Sequence, residues 1–160
     1  MTRLRRSGVT LLEMLIVVTI IGVIAGVSFP AVATGLAGVR LQSAAGSVAS
    51  FLTSSMNRVD RREEAAAIVI TPAGNVIETY TAASGEKPER SLHLPSGVFF
   101  EGEEPRRYVL QPGGTAPRMM VILRNEKGAR RSVQVDPLTG VPQIRAVAAN
   151  AAGDVTGGVK

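Results

Sequence analysis

Residues 9–29 read VTLLEMLIVVTIIGVIAGVSF, an apolar run of 21 residues with a single ionisable side chain, Glu13. A helix that is apolar on every side must be covered by something larger than itself, either a large core or a bilayer. At about 1.5 Å rise per residue the run spans roughly 30 Å, the thickness of a hydrocarbon core. Arg3, Arg5 and Arg6 precede it and no acid lies before Glu13. The positive-inside rule then keeps the N-terminus cytoplasmic and sends the rest of the chain across the membrane. The segment predicts a single-pass transmembrane helix over 9–29 and withdraws those residues from any water-soluble core.

Beyond Pro30 the apolar pattern narrows instead of ending. Leu41, Ala44, Ala45, Val48, Phe51, Leu52, Met56 and Val59 recur at helical spacing, which makes one apolar stripe. Small and polar residues between them (Gln42, Ser43, Gly46, Ser47, Ser50, Thr53, Ser54) suit a face open to water. The helix is therefore expected to continue over 30–59, weakened by Gly35, Gly38 and Gly46 and kinked at Pro30, which removes a backbone hydrogen bond.

The charged run Asp60–Glu64 marks the helix exit, and the texture then changes to short β-type segments. Residues 66–71 and 76–81 flank the turn signal PAGN, which predicts a hairpin. Further strands are expected at 98–101, 107–111, 119–124, 132–136 and 142–147, with NEKGAR closing a second hairpin and 84–89 a polar loop. The tail 148–160 is small, polar and glycine-rich, and is expected to be flexible. The fold class is α+β: a long N-terminal helix packed on a small antiparallel β domain at 60–147. A β domain of this size is marginal alone, and the Leu41–Val59 stripe would supply its second apolar layer.

Composition removes most catalytic chemistries. The 160 residues contain no cysteine and one histidine, His93, which excludes disulfides, thiolate chemistry, iron–sulfur or zinc-ribbon sites and multi-histidine metal sites. His93 has no partner cluster and is assigned no role. QPGGT at 111–115 lacks the ending of a phosphate loop and reads as a turn. No cofactor, metal or enzymatic activity is expected.

Charge is unevenly placed. Residues 1–8 carry three arginines and no acid, 60–110 carry six cations against nine acids, and 111–160 carry seven against three. Arg118, Arg124, Lys127, Arg130, Arg131 and Arg145 make the C-terminal half basic; a solvated sheet face is the simpler reading, and phosphate contact with a nucleic acid is the sharper one. Aromatics are 4% of the chain, so such binding would be weak, salt-sensitive and sequence-independent.

Glu13 asks for an explanation, because a carboxylate inside a spanning segment costs a few kcal/mol and by default is paired and functional. No other side chain in 9–29 can neutralise it. Its counter-charge must be a lipid headgroup, another subunit or an α-amine made by cutting the chain.

Residues 3–13, RLRRSGVTLLE, resemble the class III signal of type IV pilins and type II secretion pseudopilins, which a prepilin peptidase cuts after the glycine before methylating the new N-terminus. The resemblance implies cleavage between Gly8 and Val9, loss of the basic leader 1–8, N-methylation of Val9, and Glu13 as the fifth residue, pairing with a neighbouring subunit's amine during assembly. Most relatives carry phenylalanine where this chain has Val9; Pro30 matches the family's helix proline. AGVRLQSAAGSVASFLTSSMNRV, IVITPAGNV, LPSG and the ending MMVILRNEKGARRSVQVDPLTG are similar to the GspH/FimT family of minor pseudopilins and minor pilins, over nearly the whole chain to Ile144. That family implies a structural minor pseudopilin of a type II protein secretion system, in the bacterial inner membrane, assembled with other pseudopilins or pilins into a periplasmic filament that touches secreted protein cargo. It implies as an alternative a FimT-like minor type IV pilin acting in DNA uptake or pilus assembly. The calcium loop of major pseudopilins has no counterpart, since Asp136 lacks an acidic neighbour. Gly22 and Gly26 form GxxxG, either a helix-pairing motif or the ordinary glycine content of spanning helices; with Pro30 they also mark where helices of this family loosen on assembly. A secreted β domain cut after Ala33 at the small-x-small site Ala31–Val32–Ala33 is a third reading.

Overall fold

The computed structural model describes residues 10–147, except for the side chains of 27–34. The chain divides into two compact units at Leu36/Ala37, and one helix, α1 (Leu11–Arg62), contributes residues to both. The backbone stays helical through Pro30. The leader, Val9 and the tail 148–160 lie outside the described residues.

In the first unit α1 begins at Leu11, capped by Thr10: Glu13 N donates to Thr10 Oγ1 at 3.3 Å, satisfying one of the amides that a helix start leaves without an intrahelical acceptor. Its apolar side chains are bare, Leu11 at 83% and Val18 at 67% exposure. Thr19 Oγ1 donates to Leu15 O at 2.7 Å, so this hydroxyl is satisfied inside its own helix, as an apolar solvent requires.

In the second unit α1 runs on to Arg62 and ends where Glu63 takes a left-handed φ of 51°, a C-terminal stop made without glycine. Arg61 and Arg62 in its last turn suit the negative end of the helix dipole. Among the described residues eight strands follow: β1 Ala66–Thr71, β2 Val76–Thr81, β3 Arg90–His93, β4 Val98–Phe100, β5 Arg106–Leu110, β6 Met120–Asn125, β7 Arg130–Val135 and β8 Pro142–Val147. They form two antiparallel four-stranded sheets, ordered β3-β2-β1-β5 and β4-β6-β7-β8.

The β domain expected from sequence is thus divided into two sheets. The chain crosses from the first to the second after β3, where Pro95 and Gly97 (φ 80°) turn it into β4, and it returns once, for β5 to flank β1. β3 has no counterpart among the expected strands, because of its four residues only Leu92 is apolar.

The helix stripe makes the core. Leu41, Ala44, Ala45, Val48, Phe51, Leu52 and Val59 are buried in one cluster with Ile68, Ile70 and Ile77 of the first sheet and Val121, Leu123, Val133 and Val135 of the second. Burying one such side chain contributes about 1.5–3 kcal/mol, so the helix is the layer on which both sheets close. Ser55 lies on the same stripe, buried, with its hydroxyl 3.1 Å from that of Thr79; pairing keeps both polar groups from being orphaned.

Candidate functional site: the assembly helix and the sheet surfaces

α1 contributes bare apolar side chains to the first unit and the core stripe to the second, called the head below. Glu13 stands in the first turn of α1, exposed, with its amide tied to Thr10 and no side-chain partner among the described residues. Negative charge near the positive end of the helix dipole is favourable, but one turn of helix does not replace a counter-ion. Around Gly22 and Gly26 a Cβ would meet nothing within 4 Å, so the backbone there is open to close approach by another helix. Among the described residues no helix is long and apolar enough to cross a membrane. The expected span 9–29 begins before those residues and ends among side chains outside them, as do Gly8, Val9 and the side chain of Pro30.

In the head, α1 is pinned to the first sheet by an ion-pair clamp. Arg58 Nη1 and Arg62 Nη1, one turn apart, both donate to Glu89 Oε1, the latter at 2.8 Å. Arg90 lies over the Phe51 ring at 5.2 Å and donates to Ser54 Oγ at 2.6 Å. In sequence Phe51 reads as part of the apolar stripe, Ser54 as part of the face open to water, Arg62 as part of the charged helix exit and Glu89 as part of a polar loop; no local pattern pairs them across about thirty to forty positions.

Two asparagine side chains bond backbone groups that lie outside the ladders. Asn75, in a left-handed turn at φ 51°, donates Nδ2 to Val98 O at 2.8 Å and accepts Phe100 N at 3.1 Å. It therefore serves β4 as an extra strand would, and joins the β1–β2 turn to the second sheet. Asn125, buried, accepts Lys127 N and Ala129 N at 3.1 and 2.9 Å and shapes the β6–β7 turn.

The basic residues do not form one stripe. Strand alternation puts Arg124, Arg130 and Arg145 on one face of the second sheet, through the register pairs Arg124↔Arg130 and Ser132↔Arg145. Arg131, opposite Leu123, points to the other face. Arg118 precedes β6 and Lys127 sits in the turn after it. Arg130 Nε pairs with Glu101 Oε2 at 2.9 Å, and Arg124 lies over the Phe99 ring at 5.7 Å. The structure thus supplies an aromatic under a basic residue that composition did not foresee, while an acid offsets one of the cations.

Two further features face solvent. On the outer side of the first sheet Tyr80 donates its hydroxyl to Glu78 Oε2 at 2.9 Å; that bond, with some desolvation and the carboxylate's charge, raises the Tyr80 pKa above its ordinary value. Beside the C-terminal end of α1 a cleft of about 300 Å³ lies among Met56, Val59, Asp60, Leu110, Ala116, Pro137 and Leu138. Its outer lip is a turn built on Asp136, whose Oδ1 accepts Leu138 N at 2.8 Å and Thr139 N at 3.3 Å. Among the described residues there is no cluster of three or more metal-ligating side chains.

Residues 3–29 match the family described as the prokaryotic N-terminal methylation motif. No curated protein and no solved structure matches the chain. The motif supports a pilin or pseudopilin family, with an α+β architecture consistent with it, and implies processing by a prepilin peptidase, membrane anchoring and assembly with other pilins.

Proposed function

We propose that this chain is a structural, non-enzymatic subunit of a type II secretion pseudopilus, of the minor GspH/FimT class. Residues 9–29 hold it in the bacterial inner membrane with the N-terminus cytoplasmic and the head periplasmic. A prepilin peptidase removes 1–8 between Gly8 and Val9, Val9 is methylated, and Glu13 pairs with a neighbouring amine when subunits come into register. Gly22, Gly26 and Pro30 are the places where α1 packs closely or loosens in the filament. The observation that carries this reading is the methylation motif at 3–29 continuing into a helix whose first part is apolar and uncovered. A bare Leu11–Gly26 segment has no stable place in water, whereas a lipid bilayer and then the helices of other subunits would cover it.

The decisive measurement is the N-terminal residue of the mature protein by mass spectrometry. The expected result is Val9 carrying one added methyl; a mature chain beginning at Thr34 would refute the assembly reading in favour of a secreted head.

The pairing of Arg124 with Phe99, beside Arg145 on one sheet face, favours a second reading, a FimT-like minor pilin that contacts DNA during uptake. Cations and an aromatic on one open face can hold a phosphate backbone and stack a base. Arg118 and Lys127 would contribute only from its edges, and Arg131, on the opposite face, would not. Absence of a DNA mobility shift at low salt ends this reading.

A further inference from the structure

The second sheet puts Val121, Leu123, Val133 and Val135 into the core. Strand alternation turns the residues between them the other way, onto an outer face that no described element covers. On β6, Met120, Ile122 and Arg124 follow one another along this face, and Phe99 of β4 stands across from Arg124. Phe99 and Met120 are 38% and 36% exposed.

Ser132 is the exception on this face. It sits in the middle, opposite Ile122 on one side and Arg145 on the other, and is only 7% exposed. Its hydroxyl has no hydrogen-bond partner among the described residues, whereas buried polar groups are as a rule paired. Longer neighbours on both sides make it the floor of a shallow pit, with the side chain pointing out of the sheet. Arg145 rims the pit, steadied by a 2.7 Å bond to Gln143 Oε1. Arg124 lies diagonally beyond, over the Phe99 ring. Neither has an ion pair among the described residues, while Arg130 between them is offset by Glu101 at 2.9 Å. The face thus joins two cations without an acid, an unused hydroxyl and an apolar row. Phenylalanine, methionine and arginine are enriched where proteins meet, and the sign of the charge selects what they meet.

We propose that the outer face of the second sheet docks an acidic, apolar segment of a different filament subunit. A carboxylate of that segment takes the Ser132 hydroxyl and the Arg145 guanidinium, and an apolar side chain beside it lies on Ile122, Met120 and Phe99. The contact rests on the filament reading above and names the chemistry of the neighbour, since the N-terminal motif implies assembly with other pilins. A minor subunit is surrounded by subunits unlike itself, so the occupant is another chain and not a second copy. Nucleic acid fits this face less well: two cations without an acid reach only a couple of phosphates, and the apolar row has no role along a phosphate track.

The test uses the full chain with Met120 replaced by p-benzoylphenylalanine, made in cells with prepilin peptidase and the other filament subunits and then irradiated. The expected product is a crosslink to a different pilin-type subunit, mapped by mass spectrometry to a peptide with aspartate or glutamate beside an apolar residue. Arg145→Glu lowers the yield about tenfold, the scale of one charge-assisted hydrogen bond, and exchanging the mapped acid for arginine restores it. Ser132→Ala lowers the yield about fivefold, the scale of one neutral hydrogen bond. It leaves the urea midpoint unchanged, because no bond within the protein is lost. Lys87→Glu, on the loop before β3, changes neither. Crosslinking to a second copy of this chain, to a peptide without an acid, or with a yield indifferent to Arg145→Glu overturns the contact. No crosslink from chains that begin at Val9 and sediment with filaments also overturns it and leaves the filament reading standing. Chains that never begin at Val9 overturn both. A low-salt shift of duplex DNA that Arg145→Glu abolishes, without any protein crosslink, assigns the face to nucleic acid and overturns the contact.

Discussion

Leu52→Ala is the sharpest probe of how the head is held to its helix. Leu52 is fully buried on the side of α1 that meets both sheets, and no disulfide shares the load. Truncating a buried leucine to alanine removes its transfer free energy and leaves a cavity that rigid neighbours fill only in part, costing about 2–5 kcal/mol. Here the neighbours are strands of two sheets fixed by their own ladders and by the Asn75 bracket, so collapse is limited and about 3 kcal/mol is expected. With a urea m-value of about 1.5–2 kcal/mol/M for a domain of this size, the midpoint falls by about 1.5–2 M. The assay is urea unfolding of the full chain in detergent micelles. The protein has no tryptophan and two tyrosines, both in the sheets, so tyrosine fluorescence reports the head rather than the first part of α1. Leu138→Ala serves as control; its side chain is exposed and its loss should stay within about 0.5 kcal/mol. If Leu52→Ala shifts the midpoint no more than Leu138→Ala does at unchanged m, the helix stripe is not the layer that stabilises the sheets, and the reasoning fails.

Three further outcomes are expected. Glu13→Ala should insert and be processed normally but enter filaments poorly in a pull-down of co-assembled subunits; normal incorporation removes Glu13 from assembly. Asn75→Ala should cost about 1–3 kcal/mol because it orphans Phe100 N–H and Val98 C=O, measured in the same urea assay; Asn75→Gly, which eases the left-handed turn, should recover only a small part, and full recovery would mean that the turn and not the bracket matters. Ultraviolet titration should find the Tyr80 phenol ionising above the usual tyrosine range, moving down in Glu78→Gln once the accepting carboxylate is gone. The sign follows from the neutral phenol being the form that donates. A folded-state pKa above the unfolded value stabilises the head below the unfolded pKa, and that contribution fades as pH rises through the folded one.

Much of this protein was legible without coordinates because its strongest signals are local. Helical periodicity named Leu41, Ala44, Ala45, Val48, Phe51, Leu52, Met56 and Val59; Met56 is half-buried and the others are buried, since a stripe at 3.6-residue spacing faces one way. The hairpins around PAGN and NEKGAR were readable from turn chemistry, and Asn75 and Gly128 do take left-handed φ there. The apolar 9–29 run behind three arginines is visible in composition alone, and the methylation motif matches over 3–29. The Arg58–Glu89 and Arg130–Glu101 pairs were beyond reach, joining residues whose separation in sequence carries no pattern. The same holds for the basic set: a list of cations does not say which face each strand turns outward, and Arg131 parted from Arg124 and Arg130 only once the register was known.

By itself, then, the sequence determined the order of parts: a basic N-terminal stretch, an apolar helix with one carboxylate, an amphipathic continuation and a run of short strands. Each is dictated by interactions within a few residues of one another. Tertiary structure alone decided that the strands form two sheets instead of one, that Asn75 and Glu89 tie them to each other and to the helix, and that the Asp136 turn raises Leu138 beside an acidic cleft. Strand pairing depends on which distant backbones meet around a shared core, and that choice is made by the packing of the whole head, not by any segment's own propensity.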